Sequence, residues 1–305
     1  MKRFVVTALA CMALLAGVAS AGGSLPTGRI VFGMNHFCLT NDANGGGGKI
    51  PVDCGRGEIA VVDADGSHLR VLTHDKVTET SPRWSPDGRQ IAFVRPRAHT
   101  SSQIWLMNAD GSHQRVLVRS AIAPGLYGED EVPSLDWSPN GRQIVFSAFT
   151  GSNGGRTQLY LASVRTGQVT RLTYAVTGAT DPVWSPDGRW IAFVGAVAPD
   201  RIYLLSTKTH RIHVLGNATG MNLGWSPDGS RLAFNSHGKL ELLNVVTRHY
   251  RSLGLYGDQP SWSPDGQWIV FVAGDYVKEI RPDGTGTRHI LYVSSKKGWN
   301  FQPDW

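Results

Sequence analysis

The chain repeats one short string, Trp84-Ser85-Pro86-Asp87-Gly88, in five places, with Asn instead of Asp in the second copy. Successive copies are 53, 47, 41 and 37 residues apart, and they begin at Trp84, Trp137, Trp184, Trp225 and Trp262. Each copy leads into an apolar triplet, of which Ile91-Ala92-Phe93 is the first. Because this spacing matches the length of a four-stranded propeller blade, and because short β-rich runs alternate with turns, the sequence predicts a β-propeller.

The residue types of the string predict a tight turn between two strands. Proline fixes φ at the second turn position, Asp or Asn suits the third, and Gly accepts the left-handed conformation that closes a hairpin. A second hairpin follows in each unit, with Ala109-Asp110-Gly111-Ser112 as an example of its turn. The related string Asp63-Ala64-Asp65-Gly66 has the look of a calcium-loop fragment. It lacks the downstream Glu of such loops, so we interpret it as another turn.

Two of these second turns depart from the glycine pattern. The aligned position holds Gly66, Gly111, Gly167 and Gly284 in four blades, but His210 and Arg248 in the other two. Because the flanking strands match in length, we expect His210 and Arg248 to adopt a positive φ and to store modest strain.

The two ends of the chain together supply a sixth blade. Residues 302–305 reproduce the Pro-x-Trp that opens other units, and residues 28–32, 58–63 and 69–73 match the three strands that should follow. Such pairing covers sheet edges that would otherwise be open. The sequence therefore predicts an all-β, six-bladed propeller over residues 22–305, closed by one C-terminal strand with three N-terminal strands, and no second domain.

The N-terminus has the pattern of a signal peptide. Lys2 and Arg3 precede an apolar run over residues 4–18, and Ala19-Ser20-Ala21 has the small residues of a cleavage site. A membrane anchor is the alternative, but about 15 apolar residues are short for a span of about 20. We expect cleavage after Ala21, no later membrane span, and a periplasmic or secreted protein.

Export changes how the cysteines are interpreted. Cys38 and Cys54 bracket a glycine-rich loop, residues 44–48, so a disulfide between them is expected in an oxidising compartment. A zinc site that includes His36 is the alternative, although it lacks a fourth ligand.

Composition and charge exclude other classes. A hydrophobic share of 41% is too high for a disordered chain, and a net charge of +6 without any run of five like charges does not favour a nucleic-acid binder. Arg95, Arg97 and His99 lie close together in one loop and could attract an anionic polymer or partner.

The repeats resemble those of a known family. The repeated Pro-x-Trp-Ser-Pro-Asp-Gly-x-x-Ile-Ala-Phe, followed by strands that end in Asn-Ala-Asp-Gly, is similar to the propeller repeat of the TolB-like family. The resemblance implies a propeller without the α/β domain that precedes it in TolB itself, a periplasmic protein that binds a peptidoglycan-associated lipoprotein. Similar propellers also occur beside peptidase domains and in some polysaccharide lyases.

Loop lengths indicate where a ligand would bind. Turns inside the hairpins are short, whereas the opposite face carries the long connections 33–57, 95–103, 119–132, 148–157 and 295–301. Long loops on a rigid scaffold usually carry binding residues. We call this side the long-loop face and the other side the hairpin face, and we expect a monomeric binding or scaffold module for a protein or cell-envelope component.

Two connections on the long-loop face share a string of Gly-Leu-Tyr-Gly and an acid. They lead into the second and fifth repeats, which stand opposite each other in a ring of six, so we expect Tyr127, Glu129 and Asp130 to face Tyr256 and Asp258 across the channel mouth. The alternative is a loop conformation inherited from the repeat, with the tyrosines packed inward. These residues, together with Arg95, Arg97, His99 and Trp299, are the candidate binding residues.

The alternative function is a glycan-directed lyase or hydrolase that uses the same mouth. No nucleophile elbow is present, because Gly224-Trp225-Ser226-Pro227-Asp228 fails at its last position. Among the histidines, only His36, His74 and His99 belong to long loops, and they are weak metal candidates. We expect no catalytic residue, cofactor or metal, and a binding role is favoured over an enzyme.

Overall fold

The computed structural model describes residues 28–41, 49–75, 77–97, 101–119, 134–150, 156–174, 178–195, 201–292 and 302–305. In these ranges the chain forms strands and turns without a helix. The strands make six antiparallel sheets, each of which is one blade of a ring. The predicted six-bladed, all-β propeller is confirmed.

The strands follow chain order within the blades. Blade 6 contains β1 (Arg29–Asn41), β2 (Lys49–Asp63) and β3 (Arg70–Val71). Blade 1 contains β4 (Thr80–Trp84), β5 (Gln90–Arg97), β6 (Ser101–Asn108) and β7 (Arg115–Val118). Blade 2 contains β8 (Leu135–Trp137), β9 (Gln143–Thr150), β10 (Arg156–Ser163) and β11 (Val169–Arg171). Blade 3 contains β12 (Ala179–Trp184), β13 (Trp190–Gly195), β14 (Arg201–Ser206) and β15 (Ile212–Thr219). Blade 4 contains β16 (Met221–Trp225), β17 (Arg231–Ser236), β18 (Lys239–Asn244) and β19 (Tyr250–Tyr256). Blade 5 contains β20 (Asp258–Trp262), β21 (Ile269–Ala273), β22 (Tyr276–Ile280) and β23 (Arg288–Tyr292).

The repeated string forms the predicted turn between the first two strands of a blade. In blade 1, Ser85 Oγ donates to Asp87 Oδ1 at 2.6 Å and accepts the N–H of Gln90 at 2.9 Å. Gly88 closes this turn with a φ of 65°. The serine makes the same two bonds in each other copy, at Ser138, Ser185, Ser226 and Ser263.

The other parts of the repeat join one blade to the next. The indole N–H of Trp137 donates to the Arg83 carbonyl at 3.1 Å, and Trp225 and Trp262 make the equivalent bond to their preceding blades. The phenylalanines of the apolar triplets are almost completely buried, and they fill the core between sheets: Phe32, Phe93, Phe146, Phe193, Phe234 and Phe271. Removing such residues from water supplies much of the stability of the ring.

The ring closes between the two ends of the described chain. Val31 and Asp304 exchange two backbone hydrogen bonds, each 2.8 Å long, and they form an isolated bridge. The predicted full C-terminal strand is not confirmed, because the contact is this single bridge. Gly28 lies against the Trp305 indole, where a Cβ would come within 2.6 Å of Nε1.

The second hairpin turns also behave as predicted. His210 and Arg248 have φ angles of 56° and 61°, which confirms the left-handed conformation expected for both. In the turn at residues 63–68, Gly66 N donates to the Asp63 carbonyl at 2.8 Å. Asp65 Oδ1 accepts the N–H of Ser67, so this carboxylate caps a turn, as expected.

Several predicted long loops are wrong, because strands extend into them. Residues 33–57 were expected to form a loop, but β1 and β2 pair as far as Asn41 and Lys49. Likewise β5 and β6 pair as far as Arg97 and Ser101, and β9 and β10 as far as Thr150 and Arg156. The two strands on either side of each segment are already paired antiparallel within the blade, so their backbone pairing continues outward into the segment.

Candidate functional site

The site lies where the first strands of the blades reach the long-loop face. We call the residues three positions before each repeated Trp the inner ring: Ser81, Ser134, Asp181, Asn222, Gln259 and Gln302. All six have hydrogen-bonding side chains. Because first strands surround the axis of a propeller, these residues encircle the mouth of the central channel.

Inner-ring residues are bonded from blade to blade. Ser134 Oγ accepts the N–H of Asp181 at 3.0 Å, and Asp181 Oδ2 accepts the N–H of Asn222 at 3.2 Å. Gln259 Oε1 accepts the N–H of Gln302 at 2.7 Å. A side-chain oxygen of one blade therefore fixes the backbone of the next.

The backbone is strained at the same positions. Ser81, Asp181, Asn222 and Gln259 have φ angles between 50° and 55°, and each lies at a bulge between the first two strands of its blade. A positive φ in a residue with a Cβ costs about 1–2 kcal/mol. At Asp181 and Asn222 this conformation accompanies an N–H that donates to the preceding blade, whereas the Gln259 N–H donates to Asp258 Oδ1 in its own blade.

Two buried oxygens of the inner ring have no hydrogen-bond partner among the described residues. They are Ser81 Oγ and Gln302 Oε1, which belong to neighbouring blades. The bonds of the inner ring therefore run from blade 2 to blade 6, by way of Asn222 and Asp258 between blades 4 and 5. The two unused oxygens lie in blades 6 and 1.

Acidic groups dominate the charge of the first strands. In their described residues there are four carboxyl groups, Asp136, Asp181, Asp258 and Asp304, and one guanidinium, Arg83. Burial raises the pKa of all four carboxyl groups, that of Asp136 to about 7. Nearby Arg83 opposes this rise for Asp136 and Asp304, since a positive charge favours the ionised carboxylate.

The described hairpin strands that reach the long-loop face are shorter in blades 3 to 5 than in the other blades. The hairpin strands β1 and β2 are 13 and 15 residues long, and those of blades 1 and 2 are 8 residues long. The corresponding strands have 6 residues in blades 3 and 4 and 5 residues in blade 5. At about 3.3 Å per residue, the described strands of the first group are longer by several ångströms or more.

Two large side chains of blade 4 are exposed on the long-loop face. Tyr256 is 71% exposed and Met221 is 48% exposed. Their neighbours Gly257 and Gly220 pack tightly, since a Cβ would come within 2.5 Å of Phe271 and 2.3 Å of Phe234 respectively. The connections at Gly220 and Gly257 therefore lie close against the sheets. We call Met221, Asn222, Tyr256 and Asp258 the low sector.

Hydrogen bonds fix the low sector from below. Asn235 Nδ2 donates to the Gly257 carbonyl at 2.6 Å, and Gly257 N donates to the Gly238 carbonyl at 2.9 Å. Above them, Asn222 Nδ2 donates to Asp258 Oδ1 at 2.7 Å. The exposed tyrosine is therefore carried by a rigid backbone beside a bonded amide and carboxylate.

Among the predicted binding residues, Tyr256 and Asp258 lie in the low sector, at the end of β19 and the start of β20. Tyr127, Glu129, Asp130, His99 and Trp299 lie outside the described residues, as does the side chain of Arg97. The predicted pairing of the two tyrosine loops across the mouth therefore stays a prediction.

Arg95 has an internal role that the sequence did not indicate. Its guanidinium lies 2.6 Å from Glu79 Oε1 and 2.8 Å from Asp75 Oδ2, and it stacks 4.2 Å from the Trp105 ring centroid. Glu79 is fully buried, accepts the hydroxyl of Thr73, and has its pKa raised to about 7 by burial. Because Arg95 neutralises this carboxylate, it is not available to attract an anionic partner.

The metal and disulfide expectations fall largely on residues without described side chains. These are His36, His99, Cys38 and Cys54, so the disulfide stays a prediction. His74 is exposed, and within the described ranges no three His, Cys, Asp or Glu side chains are grouped as metal ligands.

Sequence reasoning missed the inner ring and Met221. The signal for the ring was present, because the residue three positions before each repeated Trp is Ser, Asp, Asn or Gln. Met221 had no such signal, since its exposure depends on how closely Gly220 approaches Phe234.

The fold and the repeats define a class of protein, the six-bladed β-propellers. Residues 56–200, just under half of the chain, match the family model of the TolB beta propeller domain, which confirms the predicted resemblance over that stretch. No described helix is long and apolar enough to cross a membrane.

Relatives show where such propellers occur. The chain is 27% identical over 242 residues to the uncharacterized peptidase YuxL of Bacillus subtilis, covering 73% of this chain and 34% of that protein. It is 27% identical over 157 residues to the Tol-Pal system protein TolB of Francisella tularensis, covering 47% of this chain and 35% of that protein. The chain thus spans about a third of the length of these relatives.

Solved structures share the fold. TolB from Acinetobacter baumannii superposes with a TM-score of 0.68 at 24% identity, over 91% of this chain and 66% of that one. An oligogalacturonate lyase from Vibrio parahaemolyticus superposes with a TM-score of 0.55 at 12% identity, over 89% of this chain and 81% of that one. At these identities the likeness concerns the fold alone.

Proposed function

We propose that this TolB-like propeller is an exported binding or scaffold module, and that it holds a protein or cell-envelope component on its long-loop face. The observation that carries the proposal is the low sector, where Tyr256 is 71% exposed on a backbone fixed by Asn235 and Gly238. Rigid, exposed tyrosines are common anchors of protein interfaces because they bury a large area with little loss of side-chain freedom.

Two further features support this face over the hairpin face. Its described hairpin strands differ in length around the ring, so a partner that contacts blade 4 would also meet the longer hairpins of blades 6, 1 and 2. The hairpin face carries stereotyped turns whose Asp side chains are already used as caps, as in Ser85 with Asp87. The Tol-Pal name of one relative fits an envelope partner for this chain.

Site-specific photo-crosslinking tests the proposal. A photoreactive amino acid replaces Tyr256 in one variant and Asp187, on the hairpin face, in the matched control, and each is irradiated with the envelope fraction of the producing cell. We expect a discrete crosslinked species from position 256 that is absent from position 187. Equal labelling from both positions, or none from 256, would contradict the proposal.

Export and oligomeric state have their own measurements. N-terminal sequencing of protein recovered from the periplasm or the medium should begin at Gly22, and light scattering should give the mass of one chain. An intact Met1 in a cytoplasmic fraction would contradict export, and a dimer mass would contradict the monomer.

A further inference from the structure

We propose that the low sector binds a cationic side chain, lysine or arginine, of a protein partner, with Tyr256 and Met221 against its alkyl chain and Asp258 Oδ2 accepting its N–H. This inference rests on the proposed function and specifies the chemistry of the partner.

The proposed acceptor is one oxygen of the Asp258 carboxylate, whose orientation is already fixed by hydrogen bonds to the other oxygen. Asp258 Oδ1 accepts Asn222 Nδ2 at 2.7 Å and the N–H of Gln259 at 2.9 Å. Among the described residues, no donor bonds to the second oxygen, Oδ2. Because Asp258 is only partly buried, a donor from outside can reach that oxygen without displacing either internal bond.

The apolar part of the low sector suits the long alkyl chain of such a residue. Tyr256 and Met221 are both exposed, and they flank the Asn222 to Asp258 hydrogen bond along the chain. Lysine and arginine bury their methylene groups on apolar surfaces while the charged end finds an acceptor. An aromatic ring adds a favourable interaction with the cation itself.

The protein already uses its tyrosine rings in this way. Lys239 Nζ lies 5.8 Å from the Tyr256 ring centroid, and the Arg171 guanidinium lies 4.7 Å from that of Tyr174. A partner's cation would approach Tyr256 from its solvent side, where 71% of the residue is exposed.

The charge of the surrounding first strands favours a cation over an anion. Their described residues hold four carboxyl groups against one guanidinium, and that guanidinium, Arg83, lies in blade 1. In a six-membered ring, blade 1 is opposite blade 4, which provides Met221, Asn222 and Tyr256. Arg83 acts on the carboxyl groups of Asp136, Asp181 and Asp304 and is not among the groups that shift the pKa of Asp258. Lys239 already occupies one side of the Tyr256 ring, so a basic partner would be drawn by the Asp258 carboxylate and would approach the ring from its open side.

Three blocked pentapeptides that differ at the central residue provide the test: acetyl-Gly-Gly-X-Gly-Gly-amide with X as lysine, norleucine or glutamate. Each is titrated to millimolar concentration into the isotopically labelled full chain, and the amide shifts of residues 256–258 are followed by NMR. We expect the lysine peptide to shift these amides in a saturable manner. We expect the norleucine peptide to bind at least about tenfold more weakly, because it lacks the charged donor.

Variants separate the contributions. Asp258→Asn keeps an acceptor for Asn222 but loses the charge, and Tyr256→Ala loses the ring, so each should weaken the lysine peptide about tenfold. Tyr174→Ala is the matched control, because Tyr174 is 72% exposed and also carries an arginine on its ring. Tyr174→Ala should leave the affinity of the low sector for the lysine peptide unchanged.

The proposal is overturned if the lysine peptide causes no shift, if the glutamate or norleucine peptide binds as tightly, or if Asp258→Asn binds like the wild type. Crosslinking from position 256 distinguishes a failure of the cationic partner from a failure of the binding role. If that position still captures an envelope component while the lysine peptide fails, the binding role stands and only the cationic partner is wrong.

Discussion

The carboxylate of Asp304 accepts the backbone N–H of Trp84 at 2.8 Å, across 220 residues of sequence. The same residue exchanges two backbone bonds with Val31, and its second oxygen accepts the hydroxyl of Ser261 at 3.2 Å. Asp304 therefore links blades 5, 6 and 1 at the place where the two ends of the chain meet. Asp136 accepts the N–H of Trp184 at 2.6 Å in the same way, but these two residues are only 48 positions apart in the sequence.

Asp304→Ala should destabilise the fold strongly. The substitution leaves the Trp84 N–H and the Ser261 hydroxyl without their acceptor, and a buried charged acceptor of this kind is worth about 2–4 kcal/mol. Urea denaturation of the variant should show this loss, whereas Asp283→Ala, in an exposed turn of the hairpin face, should change stability far less.

Deletion of residues 302–305 should lower the melting temperature further than Asp304→Ala. The deletion also removes the Val31 bridge and the packing of the Trp305 indole on Gly28. A melting temperature equal to that of the intact chain would show that the closing bridge does not hold the ring.

Arg95→Ala should destabilise the protein because it leaves Glu79 buried without its partner. Breaking a buried ion pair from one side costs at most about 3–5 kcal/mol, and the loss is smaller at neutral pH because burial already raises the pKa of Glu79 to about 7 and the carboxyl can take up a proton. Adding Glu79→Gln to Arg95→Ala should therefore recover part of the loss, as measured by urea denaturation. If the double variant is no more stable than Arg95→Ala alone, the ion pair is not what makes Arg95 important.

The features that the sequence predicted well are those encoded within a few residues. The Trp-Ser-Pro turns, the number of blades and the left-handed positions at His210 and Arg248 follow from local turn chemistry repeated along the chain. The partners of Arg95 do not, because Glu79 lies 16 residues away and reaches it only once the fold brings β4 and β5 together.

The same distinction applies to the candidate site. Tyr256 and Asp258 were predicted from a shared loop string, but the exposure of Tyr256 depends on Gly257 packing against Phe271. The extent of β1 and β2 was missed because a glycine-rich stretch between two cysteines has the composition of a loop. Backbone pairing that begins in the blade nevertheless carries the ladder outward as far as Asn41 and Lys49.

Stability should increase as the pH falls from about 8 to about 5, against the usual trend for carboxylates. Burial raises the pKa of Asp136 from an ordinary value of 3.8 to about 7, and that of Glu79 from 4.5 to about 7. Between those values the folded state binds more protons than the unfolded state, so raising the pH through this window favours unfolding.

Urea midpoints measured across this pH range test the prediction. Asp136→Asn should flatten the dependence, because the amide cannot titrate and still accepts the Trp184 N–H. Below about 4 the trend should reverse, since hydrogen bonds lower the pKa of turn carboxyls such as Asp87 and Asp228, and protonation removes their contribution. A midpoint that rises steadily from pH 5 to 8 would contradict the assignment of these buried carboxyls.

His210→Gly and Arg248→Gly should each stabilise the protein slightly. Both residues hold a positive φ, 56° and 61°, at a turn position that Gly167 occupies in blade 2 with a φ of 72°, since all three N–H groups donate to the carbonyl four residues earlier. Removing the Cβ relieves strain of about 1 kcal/mol, part of which is offset because glycine makes the unfolded chain more flexible. The neighbouring exposed Arg211, which is outside the left-handed region, supplies the matched control, and Arg211→Gly should destabilise. Thermal and urea denaturation of the three variants separate the cases: equal destabilisation by all three would show that the left-handed turns carry no strain that glycine can release.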